Sequence, residues 1–241
     1  MRKSTVIMII TAIMALAWIL VFYWMAGTSI LDARNGRKPR FAIAPPAADT
    51  LVSIMPPSFS SLDFAGGNIM VMIREGGAFQ LTMKQHLKKE MIWYIHDSTL
   101  CIRIKKIINK KSPDTLVISV PALKSVFARA WLLKKPTNNG LLIDSLSLPE
   151  LKVVTEHMNR VNISNCRISS LEMDILQNQR FPEIAIASSC SIDSLSVCIP
   201  GPAKLKLETA GLFKNSLRLS DAVRIQSTSR ILQTVFRNSN Q

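Results

Sequence analysis

Apolar and polar residues alternate through most of the chain beyond residue 59. One phrase of that alternation returns four times: DSLSL at 144–148, SSLEM at 169–173, DSLSV at 193–197 and NSLRL at 215–219. Each reads polar, Ser, Leu, any residue, apolar. In an extended strand successive side chains point to opposite faces. Leu146 and Leu148, Leu171 and Met173, Leu195 and Val197, and Leu217 and Leu219 are therefore expected to face a core. Ser147, Glu172, Ser196 and Arg218 are expected outside. Through its serines the phrase repeats at 25, 24 and 22 residues, and a period in the low twenties marks a repeat architecture.

Each repeat holds further short runs. VNISNCRISSLEMDI and IAIASSCSIDSLSVCI align with Cys166 to Cys190 and Ile168 to Ile192 both 24 residues apart. Two or three short strands per repeat, joined by one or two polar residues, describe the coil of a parallel β-helix, its coils stacked about 4.8 Å apart. A leucine-rich repeat is the competing solenoid, but LSLPELKV and SNCRISSL follow its signature only faintly and no helical period lies between the strands. GGNIMVMIREGGAFQLTMKQ, MIWYIHDSTLCIRIKKI and TLVISVPALKSVFARAWLL add strands upstream, with Gly66–Gly67 and Gly76–Gly77 as hairpin turns and the HDS triplet as a turn. RILQTVFRNSNQ at the C-terminus reads as a short amphipathic cap over the open end of the stack.

The N-terminus has a different pattern. Val6 to Ala26 is uncharged, with Thr11 its one polar side chain. As a helix it would span roughly 30 Å, the thickness of a bilayer's hydrocarbon core, with Trp18, Tyr23 and Trp24 towards one interface. A cleaved signal peptide is the rival. The run exceeds the roughly 7–15 residues of a signal's apolar region, and Trp24 or Met25 is too large for the position three residues before the cut. An uncleaved anchor is expected, with cleavage at Ser29 left open. Arg2 and Lys3 precede the run and Arg34, Arg37, Lys38 and Arg40 follow it, so the positive-inside rule does not orient it. A short basic N-terminus before a long apolar run looks like an export signal, which places the C-terminal part outside the cytoplasm. Pro39, Pro45, Pro46, Pro56 and Pro57 make the following stretch an extended tether, whose basic residues could meet anionic head groups. The expected plan is a transmembrane anchor over 1–30, a Pro-rich basic linker over 31–58 and a β-helical domain over 59–241.

SSLDFAGGNIMVMIREGG has an apolar residue, a Gly turn and a V-x-I strand. HDSTLCIRI follows as a further strand phrase, and LVISVPALKSV, with Pro121, Leu123 and Val126, as a P-x-L step. In this order, over residues 59–227, these phrases resemble those of a bacterial family, the auto-transporter adhesin head GIN domains. The resemblance implies a right-handed β-helix-like fold, export and a bacterial origin, and it brings no catalytic residues. Where the family has a Gly- and Ser-rich step after P-x-L, this chain has FARAWLLKK.

Composition adds that the core must be aliphatic, since 48% of the 241 residues are hydrophobic but only 6% aromatic. The net charge of +14 suggests an anionic partner, or simply a solvated basic surface. Cys101, Cys166, Cys190 and Cys198 lack metal-ligand spacing, so no zinc is expected. Cys166 and Cys190 would stack in adjacent coils as small apolar residues, within Cα reach of a disulfide. His86, His96 and His157 lie far apart in sequence and in no catalytic motif. Asp144 and Asp193 would occupy one slot two coils apart, about 9–10 Å, near the spacing of an inverting glycosidase pair. Ser169 and Asn215 share that slot, which makes turn closure the better account.

The remaining candidates are basic residues beside aromatics. KQHLKKEMIWYIH places Lys88 and Lys89 near Trp93 and Tyr94, and IRIKKIINKK adds Arg103, Lys105, Lys106, Lys110 and Lys111. Lys88, Lys89, Trp93 and Tyr94 are the candidate ligand-binding residues; as charged turn tips they would instead protect strand edges. The resulting expectation is a non-catalytic domain in the bacterial envelope, held by one helix in the inner membrane with its C-terminal domain in the periplasm. It would bind an anionic glycan, a lipid head group or an envelope protein, with no cofactor, metal or nucleic acid. Two rivals stand beside it: a carbohydrate-active enzyme using Asp144 and Asp193, and a cytoplasm-facing module that binds nucleic acid.

Overall fold

The computed structural model describes residues 14, 17–19, 50–105, 113–131, 138–176, 181–209 and 214–227. Beyond residue 49 these are all-β apart from one short helix, α1 (Gln85–Glu90). The first strands are β1 (Leu51–Ile54), β2 (Ser61–Gly66), β3 (Ile69–Glu75), β4 (Gln80–Lys84), β5 (Met91–His96) and β6 (Thr99–Ile104). β7 (Asp114–Val120), β8 (Ser125–Ala130), β9 (Gly140–Asp144), β10 (Ser147–Glu156), β11 (Arg160–Ser164) and β12 (Arg167–Leu176) follow. β13 (Glu183–Ile186), β14 (Ser191–Ile199), β15 (Ala203–Leu207), β16 (Lys214–Leu219) and β17 (Val223–Ser227) complete the order.

From β7 onward successive strands fall alternately on two sheets. Sheet A runs β1-β4-β7-β3-β9-β11-β13-β15-β17 and sheet B runs β16-β14-β12-β10-β8-β2-β6-β5. Every pair from β8 to β17 is parallel. One coil is therefore one strand of each sheet, and the core lies between them. Its columns are aliphatic: Val71, Leu141, Val161, Ile184 and Leu205 in sheet A, and Leu151, Leu171 and Leu195 in sheet B. All are at most 2% exposed. With few aromatics available, a core only one β-branched or γ-branched side chain deep on each sheet is what this composition can fill.

The alternation within the repeated phrase holds, but its register does not. Ser170 lies beside Ser194, and Leu171 beside Leu195, as the phrase predicts. Ser170 pairs on its other side with Glu150, however, so DSLSL stacks on SNCRI instead. Ser216 pairs with Ser196, two residues away from the expected Ser194. A polar–apolar alternation recurs every two residues and so fits several registers equally well. Corners decide which is used. Ser145 and Asn165 stack at one corner with φ of 56° and 54°, the left-handed region that short polar side chains tolerate.

The expected glycine hairpins are also corrected. Gly66 and Gly67 lie where the chain passes from β2 on sheet B to β3 on sheet A, and β3 is separated from β4 by β7. A glycine turn marks a change of direction without saying which strands pair. The HDS turn is a true hairpin, joining antiparallel β5 and β6 through Asp97 and Ser98 at φ 47° and 59°. Two residues with positive φ match the twist of a tight hairpin.

At the N-terminal end the added strands are antiparallel: β4 on β7, β1 on β4 and β5 on β6. Leu51–Ile54, within the stretch read as linker, form β1. Leu87 of α1 is fully buried in the core cluster, and Phe59 and Phe79 pack with ring centroids 4.7 Å apart. At the other end Leu217, Leu219 and Val223 are only partly buried; the expected cap RILQTVFRNSNQ lies outside the described residues.

The expected transmembrane anchor is corrected. Within Val6–Ala26 the described residues are Met14, Ala17, Trp18 and Ile19, all helical and exposed. Among the described residues no helix is long and apolar enough to cross a membrane. An apolar run limits what a helix could span, but a span needs about 20 consecutive helical residues. The membrane partner, the single-pass inner-membrane location and the periplasmic placement rested on that helix and fall with it. The rest of 1–30 lies outside the described residues.

Candidate functional site

The four residues singled out from the sequence do not converge on one surface. Lys88 and Lys89 are exposed in the last turn of α1. Trp93 and Tyr94 are neighbours on the edge strand β5 and so point to opposite faces. Trp93 packs partly buried against the core, whereas Tyr94 is 48% exposed on the outer face. Arg103, across from Ile92 on β6, is taken up by Asp63. Its guanidinium also donates to the Asp63 and Ile102 carbonyls at 2.9 and 3.0 Å, and the hydrogen bond to Asp63 raises its pKa above the usual arginine value. Lys106, Lys110 and Lys111 lie outside the described residues.

The carboxylate pair required by the enzyme reading is absent. Asp144 ends β9 on sheet A, and Asp193 is on β14 of sheet B, in line with the residue after Ile168. The slot had been matched through the repeated phrase, whose register differs. Asp144 is a corner residue. Its carboxylate accepts from Ser164 Oγ at 2.7 Å, Asn165 Nδ2 at 2.8 Å and Ser145 Oγ at 3.0 Å. These bonds, led by Ser164, hold its pKa below the ordinary aspartate value despite partial burial.

Other titratable groups are also structural. His86 Nε2 lies 2.8 Å from the buried Asp114 carboxylate, which ties α1 to the start of β7. Lys84 lies 3.8 Å from the same carboxylate. Cys166 and Cys190 stack at one corner as free thiols. Their Sγ atoms reach the carbonyls of Ser164 at 3.1 Å and Ile163 at 3.4 Å. The hydrogen bond to Cys190, with burial, keeps the Cys166 thiol protonated. Among the described residues no group of three or more His, Cys, Asp and Glu could hold a metal.

A cleft that the sequence did not reveal lies where the strands of sheet A begin. Stacking sets Met70, Gly140, Arg160, Glu183 and Lys204 in one outward row across β3, β9, β11, β13 and β15. Gly140 leaves a gap in that row, into which Met70 folds: a Cβ there would sit 2.4 Å from Met70 Sδ. The cleft, about 460 Å³, is bounded by Met70, Arg160 and Glu183 from the row and by Pro113, Asn138, Asn139, Asn159 and Phe181 from the segments leading into it. That volume is in the roughly 300–1,000 Å³ range of small-ligand pockets.

Its polar groups are held from behind. The Asn139 carboxamide is buried and its Oδ1 accepts from the Ile69 N–H at 3.2 Å. The Asn138 N–H donates to Asn68 Oδ1 at 3.4 Å. Glu183 receives Lys204 Nζ at 3.3 Å and faces Arg160 Nη2 at 3.8 Å. Phe181 is 49% exposed, with the Arg224 guanidinium 5.5 Å from its ring centroid. The described lining thus offers carboxamides, one guanidinium, one carboxylate and one aromatic ring, and none of these residues is a Ser, Thr, Cys or His nucleophile or base. The legible trace of the cleft was the placement of NNG, NR and FPE just before the first inward residue of successive sheet A strands. Without the sheet register nothing brings those three phrases together.

No family model matches the chain, and no curated protein matches it. Solved structures do. A protein of Bacteroides fragilis described as a "putative adhesin" is 15% identical with a TM-score of 0.39, covering 74% of this chain and 96% of its own. A second so described, from Parabacteroides merdae, is 12% identical with a TM-score of 0.31, over 74% and 94%. A "putative cell adhesion protein" of Clostridium sporogenes is 9% identical with a TM-score of 0.31, over 74% and 98%. The chain therefore resembles bacterial proteins with adhesin names at low identity, and no match assigns it a GIN domain.

Proposed function

We propose that this chain is a non-catalytic binding domain, with the cleft at the head of sheet A as its binding site. The observation that carries the reading is the chemistry of the described lining. Donors and acceptors of both charges and an exposed ring converge at the head of the stacked strands, yet the described lining holds a single carboxylate, and it is engaged by two cations. General acid–base hydrolysis needs two groups poised apart in pKa. Recognition needs only fixed hydrogen-bonding groups and an apolar surface.

The test is thermal unfolding of the full chain against panels of saccharides, nucleotides, amino acids and short peptides. At least one class should raise the unfolding temperature of the wild type and not of the Arg160→Ala, Phe181→Ala double variant, with the compound recovered unchanged. A compound recovered cleaved or modified would make the protein an enzyme. Stabilisation that persists in the double variant would move the site elsewhere.

A further inference from the structure

We infer that the cleft takes a neutral sugar, gripped through adjacent hydroxyls, and not a polyanion, although the chain carries a charge of +14. This rests on the cleft being the binding site. Each hydroxyl of a sugar both donates and accepts, so a pair of neighbours is matched by a donor and an acceptor set side by side. Arg160 and Glu183 form such a set. They are partners in the β11–β13 register and share one face. Their closest atoms are 3.8 Å apart, beyond hydrogen-bonding distance, and their side chains are 59% and 38% exposed. Lys204 holds Glu183 through Oε1 at 3.3 Å, so a hydroxyl pair arriving between Arg160 and Glu183 Oε2 gains charge-assisted bonds from both without displacing that lysine. The carboxamide of Asn138, also in the lining, can both donate and accept.

The ring of Phe181 supplies the other half of sugar recognition, an apolar surface for the C–H face of a pyranose. The Arg224 guanidinium lies 5.5 Å from the centroid of that ring.

The carboxylate decides against an anion. Glu183 is part of the lining itself, and a sulfate or phosphate reaching Arg160 would lie against it. Lys204 is held on Glu183, and Arg224 on Phe181, so Arg160 is the one cation that the described lining presents.

The experiment is affinity electrophoresis of the full chain through gels containing a neutral mannan, a neutral β-glucan or heparin, at low and at physiological salt. Retardation by a neutral polysaccharide at both salt levels is expected. Glu183→Gln and Phe181→Ala should each weaken it about tenfold, the loss of one charged hydrogen bond or one stacking surface, with unfolding temperatures unchanged. Retardation by heparin alone, lost at higher salt and strengthened by Glu183→Gln, would overturn the neutral-sugar inference while leaving the cleft as the site. Retardation by none of the three would overturn the inference as well. Retardation indifferent to both variants would overturn the cleft reading too.

Discussion

Asp144 shows how one side chain fixes a corner of the solenoid. Three side-chain donors from two successive coils converge on its carboxylate, and Ser145 beside it adopts a left-handed backbone. The folded pKa is depressed, so the charged form favours folding above the unfolded value of about 3.9. That contribution is lost as pH falls through this value towards the lower folded one. Asp144→Asn should therefore destabilise the protein by about 1 kcal/mol at neutral pH. The difference from wild type, read as the urea midpoint, should shrink as the pH is lowered through about 4. An equal difference at neutral and acid pH would mean that shape, not charge, holds the corner. At this scale the sequence was informative. Asp144 closes a corner through side-chain hydrogen bonds, whereas Ser169, Asp193 and Asn215, read into the same turn slot, lie within β12, β14 and β16; Leu146, Leu171, Leu195 and Val197 are all buried as their alternation requires. What it could not supply was the partner of each corner residue, because that depends on register.

Strands and corners are where reading and structure part. Coil lengths in sheet A are 20, 23, 21 and 20 residues, from Leu141 to Val161, Ile184, Leu205 and Ile225. The coil length is thus not constant, so a constant period through the phrase could not recover the pairing. The short helix Gln85–Glu90 was equally hidden, since six residues are too few to show a helical period and it holds through the burial of Leu87. Gly66 belongs to the same scale. Its sequence context suggested a hairpin, but the residue ends β2 against the core. A Cβ there would lie 2.8 Å from both Ile104 Cγ1 and Phe64 Cζ, whose side chains are fully buried. Gly66→Ala should cost about 1–3 kcal/mol by overpacking. In an Ile104→Ala background the added cost of Gly66→Ala should shrink, because that truncation removes Cγ1, one of the two atoms nearest the added Cβ. If G66A unfolds at the wild-type denaturant concentration, the β2–β3 corner is looser than the packing around Ile104 implies.

Over the whole molecule, attraction and repulsion between charges compete, and the architecture determines where each acts. Stacked coils bring opposite charges into neighbouring strands. Lys152 meets Glu172 at 2.6 Å and Asp174 at 3.6 Å, Arg129 meets Glu156 at 2.8 Å, and Lys204 meets Glu183 at 3.3 Å. These pairs lie on exposed faces, where each contributes about 0–1 kcal/mol and weakens with salt. Against them stands the self-repulsion of 30 basic and 16 acidic side chains, a surplus of 14 positive charges spread over one chain. Screening reaches about 8 Å at physiological ionic strength, so added salt relieves the many longer-range repulsions more than it weakens the few close pairs. The unfolding temperature should consequently rise between low and physiological salt, and chloride salts of different cations should act alike. A fall over that range would show that the ion pairs between coils outweigh the net charge. The stacked ladders, and not only the aliphatic core, would then be what keeps successive coils in register.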